Sequence, residues 1–207
     1  MKKDRPYNLR SGTTTSPAII LILIITAAAI SGCAPPASTD QIEDTPEESE
    51  TAEAQPEVTY MALTITSTAF ENNKDFPSRY TCDGKDINPP LSIVGVPEGT
   101  QTLVLIVDDP DAPVGVWDHW VVWNIPAETT SIAEDSVPGV QGKNSWGRND
   151  YGGPCPPSGT HRYYFKLYAL DTKLDLDTAS DKKAVEAAMK GHVLEEAELM
   201  ASYSKQK

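Results

Sequence analysis

Positive charge is scarce in this 207-residue chain: 17 Lys and Arg stand against 30 Asp and Glu, for a net charge of −13. A phosphate backbone is gripped by clustered Lys and Arg, so this balance argues against a nucleic-acid partner. Histidine and cysteine are sparse as well, with three of each. No HxH or HxxxH spacing brings imidazoles together, as a focused zinc site commonly would. A full-length membrane span is also missing from the N-terminal region. The apolar run Ala18–Ile30, interrupted only by Thr26, has 13 residues, whereas a helical span needs roughly 20.

What is present falls into three charge regimes. Residues 1–33 carry four basic and one acidic side chain, residues 34–57 eight acidic and no basic ones, and residues 58–207 thirteen basic and twenty-one acidic. The first segment, with Lys2, Lys3, Arg5 and Arg10 before a short apolar run, has the layout of an export signal. It ends in Ile30-Ser31-Gly32-Cys33, which resembles a lipobox, so Cys33 is the expected lipidation site and residues 1–33 a lipoprotein signal peptide. An uncleaved anchor helix is the alternative. Both place the rest of the chain outside the cytoplasm, held to the membrane. Residues 34–57 lack aromatic side chains and repel themselves electrostatically. They are expected to form a disordered acidic tether.

The third segment, 58–207, is the expected domain. Met61–Phe70 and Arg162–Leu170 alternate and are rich in β-branched or aromatic residues, as half-buried strands are. Leu103–Val107 is continuously apolar, the pattern of a strand covered on both faces. Trp120–Ile125 reads as another strand. A helix is expected last, capped by Asp181, with Ala184, Ala188, Val193, Ala197 and Met200 along one stripe. Pro- and Gly-rich stretches at 108–116 and 138–160 separate the strands.

Those stretches carry the candidate chemistry. His119 follows the loop Asp108-Asp-Pro-Asp-Ala-Pro113, and His161 follows Gly152-Gly-Pro-Cys-Pro-Pro157. A histidine at a strand's start, after a loop stiffened by proline, sits at the rim of a sheet where pockets form. Asp109 and Asp111 are acceptors able to set a histidine's tautomer. The same residues would equally serve as strand caps and turn formers. His192 and Asp83 read as surface or turn residues, Trp120 and Trp123 as the core and surface of a strand, and Tyr164, Phe165 and Tyr168 as sheet packing.

The motifs DDPDAP, WDHW, YGGPCPP and HRYYFKLYAL, in this order, resemble the phosphatidylethanolamine-binding protein family, in particular its bacterial and archaeal Raf-kinase-inhibitor-like branch. YTCDGKDINPPLSI and AMKGHVLEEAELM add to the likeness, which spans residues 61–203. The resemblance implies a mostly-β fold: a sandwich of antiparallel sheets with a C-terminal helix and a small pocket at one end. It implies a ligand site of Asp109, Asp111, Pro113, Trp117, His119, Gly153, Pro156, His161 and Tyr163. In the family this pocket takes phosphate, phosphorylated head groups or similar small anions. His119, His161 and the Tyr163 hydroxyl can donate to such a ligand, and backbone amides near Gly152 and Gly153 could add more. Asp109 and Asp111 suit an anion only if they pair with the histidines or accept from a ligand amine or a protonated oxygen, and a zwitterionic ligand would satisfy both kinds of group. Zinc on these histidines and carboxylates is disfavoured, and no metal or cofactor is expected. With Cys33 acylated, Cys82 and Cys155 remain, in loops the family places near the pocket mouth. An exported domain can keep disulfides, so a bridge and two packed thiols are both open. No activated nucleophile is visible, so the domain is expected to be a binding module and not an enzyme. The alternative function is regulation of another protein, such as an extracytoplasmic protease or kinase-like enzyme.

Overall fold

The computed structural model of the chain describes residues 61–205. The expected signal segment, Cys33 and the expected tether of residues 34–57 lie outside the described residues. Among these residues nine strands and one α-helix follow in the order β1 Thr64–Thr66, β2 Lys74–Asp75, β3 Leu91–Val94, β4 Thr102–Asp109, β5 Trp117–Pro126, β6 Ser131–Ile132, β7 Val140–Gln141, β8 Thr160–Leu170, α1 Lys182–Met189 and β9 Val193–Ser204, with a 3-10 turn at Ser78–Tyr80 between β2 and β3. They build a three-stranded sheet, β1-β3-β6, and a six-stranded sheet, β2-β9-β8-β4-β5-β7. All pairings are antiparallel except β2 with β9. The mostly-β sandwich expected from the sequence is the fold found.

Alternation explains the layers. On β8, Tyr163, Phe165, Leu167 and Ala169 point toward the small sheet and join Ile65, Leu91, Ile93 and Ile132 in one buried cluster. The opposite face of the large sheet buries Val104, Ile106, Val121 and Trp123 beneath Val185 and Met189 of α1. All eight residues of β4 are buried, which is why its middle, Leu103–Val107, is a continuous apolar run instead of an alternating one. Trp123, read as a surface residue, is fully buried under α1. Phe165 packs between the sheets as expected, whereas Tyr164 and Tyr168 are only partly buried, on the outer face.

The helix is shorter than its composition suggests. Asp181 caps it, its carboxylate accepting from the Ala184 amide at 3.0 Å, but α1 ends at Met189. Gly191 follows in the left-handed region, at φ +85°, a conformation open to glycine at no steric cost. Val193–Ser204, expected to continue the helix, is strand β9. It pairs with β8 along its whole length, from Thr160↔Ser204 to Leu170↔Val193. Its alternate residues Leu199, Ala201 and Tyr203 enter the core. His192 therefore lies in the turn between α1 and β9, bonded to Asp171 at 2.8 Å.

Candidate functional site

The ends of β4, β5 and β8 that point the same way carry the candidate residues. Asp109 is the last residue of β4, Trp117 and His119 open β5, and His161 and Tyr163 lie in the first turns of the pleat of β8. The alternation of β5 alone would send His119 and Trp120 to opposite faces. A register shift prevents this: Val107 pairs with Trp120, but Asp108 pairs with Asp118. His119 is thus the extra residue of a β-bulge. The bulge lets His119 face the pocket while Trp120 stays in the core, a re-aiming that bulges commonly perform beside sites.

The resulting cavity has a volume of about 300 Å³ and is lined by Asp109, Ala112, Pro113, Val114, Trp117, His119, Trp146, Cys155, Pro156, Pro157, His161 and Tyr163. Seven of the nine expected residues therefore share one cavity. The other two do not line it. Asp111 turns outward to Arg162, accepting two guanidinium bonds of 2.8 and 2.6 Å, and this pairing holds its carboxyl down at about 2. Gly153 lies behind the wall, where a Cβ would strike the Tyr80 carbonyl and the Asp86 carboxylate. Its amide is spent on Asp86 Oδ1 at 2.6 Å, and the Gly152 amide on the His119 carbonyl at 3.1 Å. The two glycine amides expected as anion donors are thus already in use.

The polar groups are strongly organised. Asp109 Oδ2 meets His161 Nδ1 at 2.7 Å, and its Oδ1 accepts from the Asp111 amide at 2.8 Å. Both Asp109 oxygens are partnered and Asp111 is paired with Arg162, so neither carboxylate requires a ligand amine. His119 Nδ1 lies 2.6 Å from the Gly152 carbonyl. A carbonyl only accepts, so this nitrogen carries the proton. His119 is 3% exposed, and burial lowers its pKa. The Tyr163 hydroxyl is pushed up, first by burial and then by the nearby Asp109 charge, and stays protonated.

The apolar walls are aromatic. Trp146 makes edge-on contacts with both Trp117 and His119, at centroid distances of 5.3 and 5.1 Å. Tyr163 meets His119 from another side at 5.2 Å. Trp146 was missed because it sits in a loop with no periodicity. The Asn144 carboxamide shapes that loop by accepting from the Trp146 and Arg148 amides. Gly152 permits the approach, since a Cβ there would meet the Trp146 ring at 2.5 Å. The only trace in the sequence is Asn-Ser-Trp-Gly, a turn that carries an aromatic residue.

Two further features brace the site. Cys82 and Cys155 form a disulfide with Cα atoms 5.5 Å apart, which settles the choice left open by the sequence and fixes Cys155 in the cavity wall. On the reverse face of the sheet, Lys182 of α1 reaches Asp108 at 2.5 Å and Asp118 at 3.2 Å. Lys166 adds a bond to Asp108 at 2.9 Å. Asp108 and Asp118 directly precede Asp109 and His119, so Lys182 clamps the two strand ends that present the pocket residues. A wider groove over Lys166, Tyr168, Glu196, Ala197 and Glu198 lies on this outer face, away from the histidines.

Comparison with known proteins places this geometry. The profile of the phosphatidylethanolamine-binding protein family matches residues 66–204. A UPF0098 protein of Methanothermobacter thermautotrophicus is 52% identical over 149 residues, covering 68% of this chain and 98% of its own. A UPF0098 protein of Pyrococcus horikoshii is 45% identical over 155 residues, covering 70% of this chain and 78% of its own. Among solved structures, a phosphatidylethanolamine-binding protein homologue from Chlamydia trachomatis shares 42% identity at a TM-score of 0.68, covering 70% of this chain and 99% of that one. Escherichia coli YbcL shares 33% identity at a TM-score of 0.66, covering 70% of this chain and all of that one. The chain belongs to the phosphatidylethanolamine-binding protein family.

Proposed function

We propose that this domain is an extracytoplasmic binding module that captures a small anionic or phosphorylated ligand in the Asp109–His119–His161–Tyr163 cavity. The observation that carries the reading is the convergence of two histidines and a protonated tyrosine in one small, mostly apolar cavity. Polar groups held in place by backbone and carboxylate partners pay little reorganisation cost when a ligand arrives. A binding role is favoured over catalysis because, among the described residues, the lining offers no serine and its one cysteine is locked in a disulfide. Export is supported by that same disulfide, since such bonds persist in oxidising compartments, and by the N-terminal signal pattern ending at Cys33. Membrane attachment through Cys33 would leave the pocket domain on a tether of residues 34–57 at the outer face of the membrane.

The test is calorimetric titration of the full chain, in detergent, with inorganic phosphate. The reading requires saturable binding that is lost in His161→Ala and retained in His192→Ala. Absence of saturable binding, or equal loss in both variants, removes it.

A further inference from the structure

We infer that the pocket takes its anion as an acid: the ligand carries a proton on an oxygen and donates it as a hydrogen bond to Nε2 of His119. Inorganic phosphate or a phosphate monoester in its monoanionic form has this chemistry, while a sulfate or a phosphodiester does not. The inference rests on the anion-binding reading above and specifies the protonation state that the site selects.

The first support is the tautomer. His119 Nδ1–H is committed to the Gly152 carbonyl at 2.6 Å. In the neutral ring Nε2 is then a bare acceptor. It can serve an oxygen ligand only if that oxygen brings the hydrogen. The alternative is a doubly protonated ring, and its surroundings disfavour that. From β4, Asp109 is nearby, but its two oxygens are taken by His161 and the Asp111 amide. Asp108 sits on the other face of the sheet between Lys166 and Lys182. Asp86, in the segment before β3, is bonded to the Gly153 amide. From β8, His161 and Tyr163 face the ring, and Tyr163 remains un-ionised. Trp146 and Trp117 complete the wall, and Cys155 is closed in its disulfide. Each neighbouring carboxylate already holds another partner, and burial, with the residue 3% exposed, outweighs the pull of their charges on the ring.

The second support is the absence of a fixed cation from the lining. Among the described residues, no Lys or Arg borders the cavity. Arg162 is tied to Asp111, and Lys166 and Lys182 to Asp108. Arg148 stacks over Trp146 and pairs with Asp150. A fully ionised ligand would therefore meet a bare nitrogen lone pair and the Asp109 carboxylate with no permanent countercharge. Burying charge on those terms is costly. A protonated oxygen removes one ligand charge and satisfies the lone pair in one step, and the Tyr163 hydroxyl, which has no hydrogen-bond partner of its own among the described residues, remains as a donor toward another oxygen.

Calorimetry on the wild-type full chain separates the outcomes. Phosphate, sulfate and dimethyl phosphate are titrated between about pH 5.5 and 8.5, a range spanning the second ionisation of phosphate groups. Phosphate is expected to bind at least about tenfold more tightly than sulfate or dimethyl phosphate at low pH, the effect of one buried hydrogen bond. Its apparent affinity is expected to fall as pH rises, by up to about tenfold per unit. In His119→Gln, whose carboxamide can donate as well as accept, the preference for phosphate over sulfate shrinks. Sulfate binding as tightly as phosphate, or phosphate binding that is flat with pH, overturns the inference and leaves anion capture standing. If none of the three binds, both readings fall.

Discussion

Removing the Cys82–Cys155 bridge offers a test with a magnitude that follows from topology. The bridge closes a loop over a sequence separation of 73. On the chain-entropy account, cross-linking a loop of this length restricts the unfolded ensemble by about 15 cal/mol/K, about 4 kcal/mol at 25 °C. For a domain of this size each kcal/mol corresponds to about 2–4 °C in Tm, so a Cys82→Ala/Cys155→Ala variant should melt about 10–15 °C lower. Thermal unfolding followed by circular dichroism reads this directly, and adding reductant to the wild type should lower its Tm in the same direction. Ligand binding at 25 °C should survive the change. The Cys82 amide still bonds the Pro154 carbonyl at 3.1 Å, and Gly153 still bonds Asp86, so the wall holding Cys155 keeps two other attachments. A Tm change below about 3 °C would refute the assumption that this loop is otherwise free in the unfolded chain. A collapse of phosphate affinity with little loss of Tm would show that the bridge positions the wall instead of stabilising the fold.

Three further perturbations test the supports of the site. Lys182→Met leaves Asp108 buried without its closer partner and Asp118 facing it across the bulge. This should cost about 3 kcal/mol in urea unfolding, with a loss of phosphate affinity larger than that of a surface Lys→Met control. Acid stability carries a His119 signature: its folded pKa is depressed from 6.5 by burial, so the unfolded chain takes up the proton first. The associated stability is complete above about pH 6.5 and is lost as pH falls, by up to about 1.4 kcal/mol per unit. His119→Gln should remove that slope from urea midpoints measured at a series of pH values. Gly152→Ala pushes a methyl group into the Trp146 ring, which should change tryptophan fluorescence and weaken phosphate binding by about tenfold.

How far the sequence reveals this architecture depends on which forces act locally. Leu103–Val107 is readable as a doubly covered strand because burial on both faces removes all polar positions. Asp109, His119, His161 and their flanking prolines are readable as a group because loop stiffness and polar side chains coincide. The segment 193–204 is not readable, since Leu, Glu, Ala and Met favour helices and only pairing with β8 makes it a strand, a tertiary override of local propensity. The bulge at His119 is equally hidden: it depends on the register of β4 against β5, not on β5 alone. The same holds for Asp111, whose proximity in sequence to Asp109 suggested a shared role, while the turn between them sends one carboxylate inward and the other to Arg162. Trp146 joins the site through a loop closure that no periodicity announces.

The central claim is that His119 and His161 contact a small anion, with His119 accepting through Nε2. The chain has three histidines, so ¹⁵N spectra of the imidazole nitrogens, recorded while inorganic phosphate is titrated into the full chain, report on each. The account predicts a protonated Nδ1 and bare Nε2 on His119 before addition, movement of Nε2 on His119 and His161 during it, and no change at His192, which is paired with Asp171 outside the pocket. Imidazole signals unmoved by phosphate, or a protonated Nε2 on His119 in the free protein at neutral pH, would contradict it.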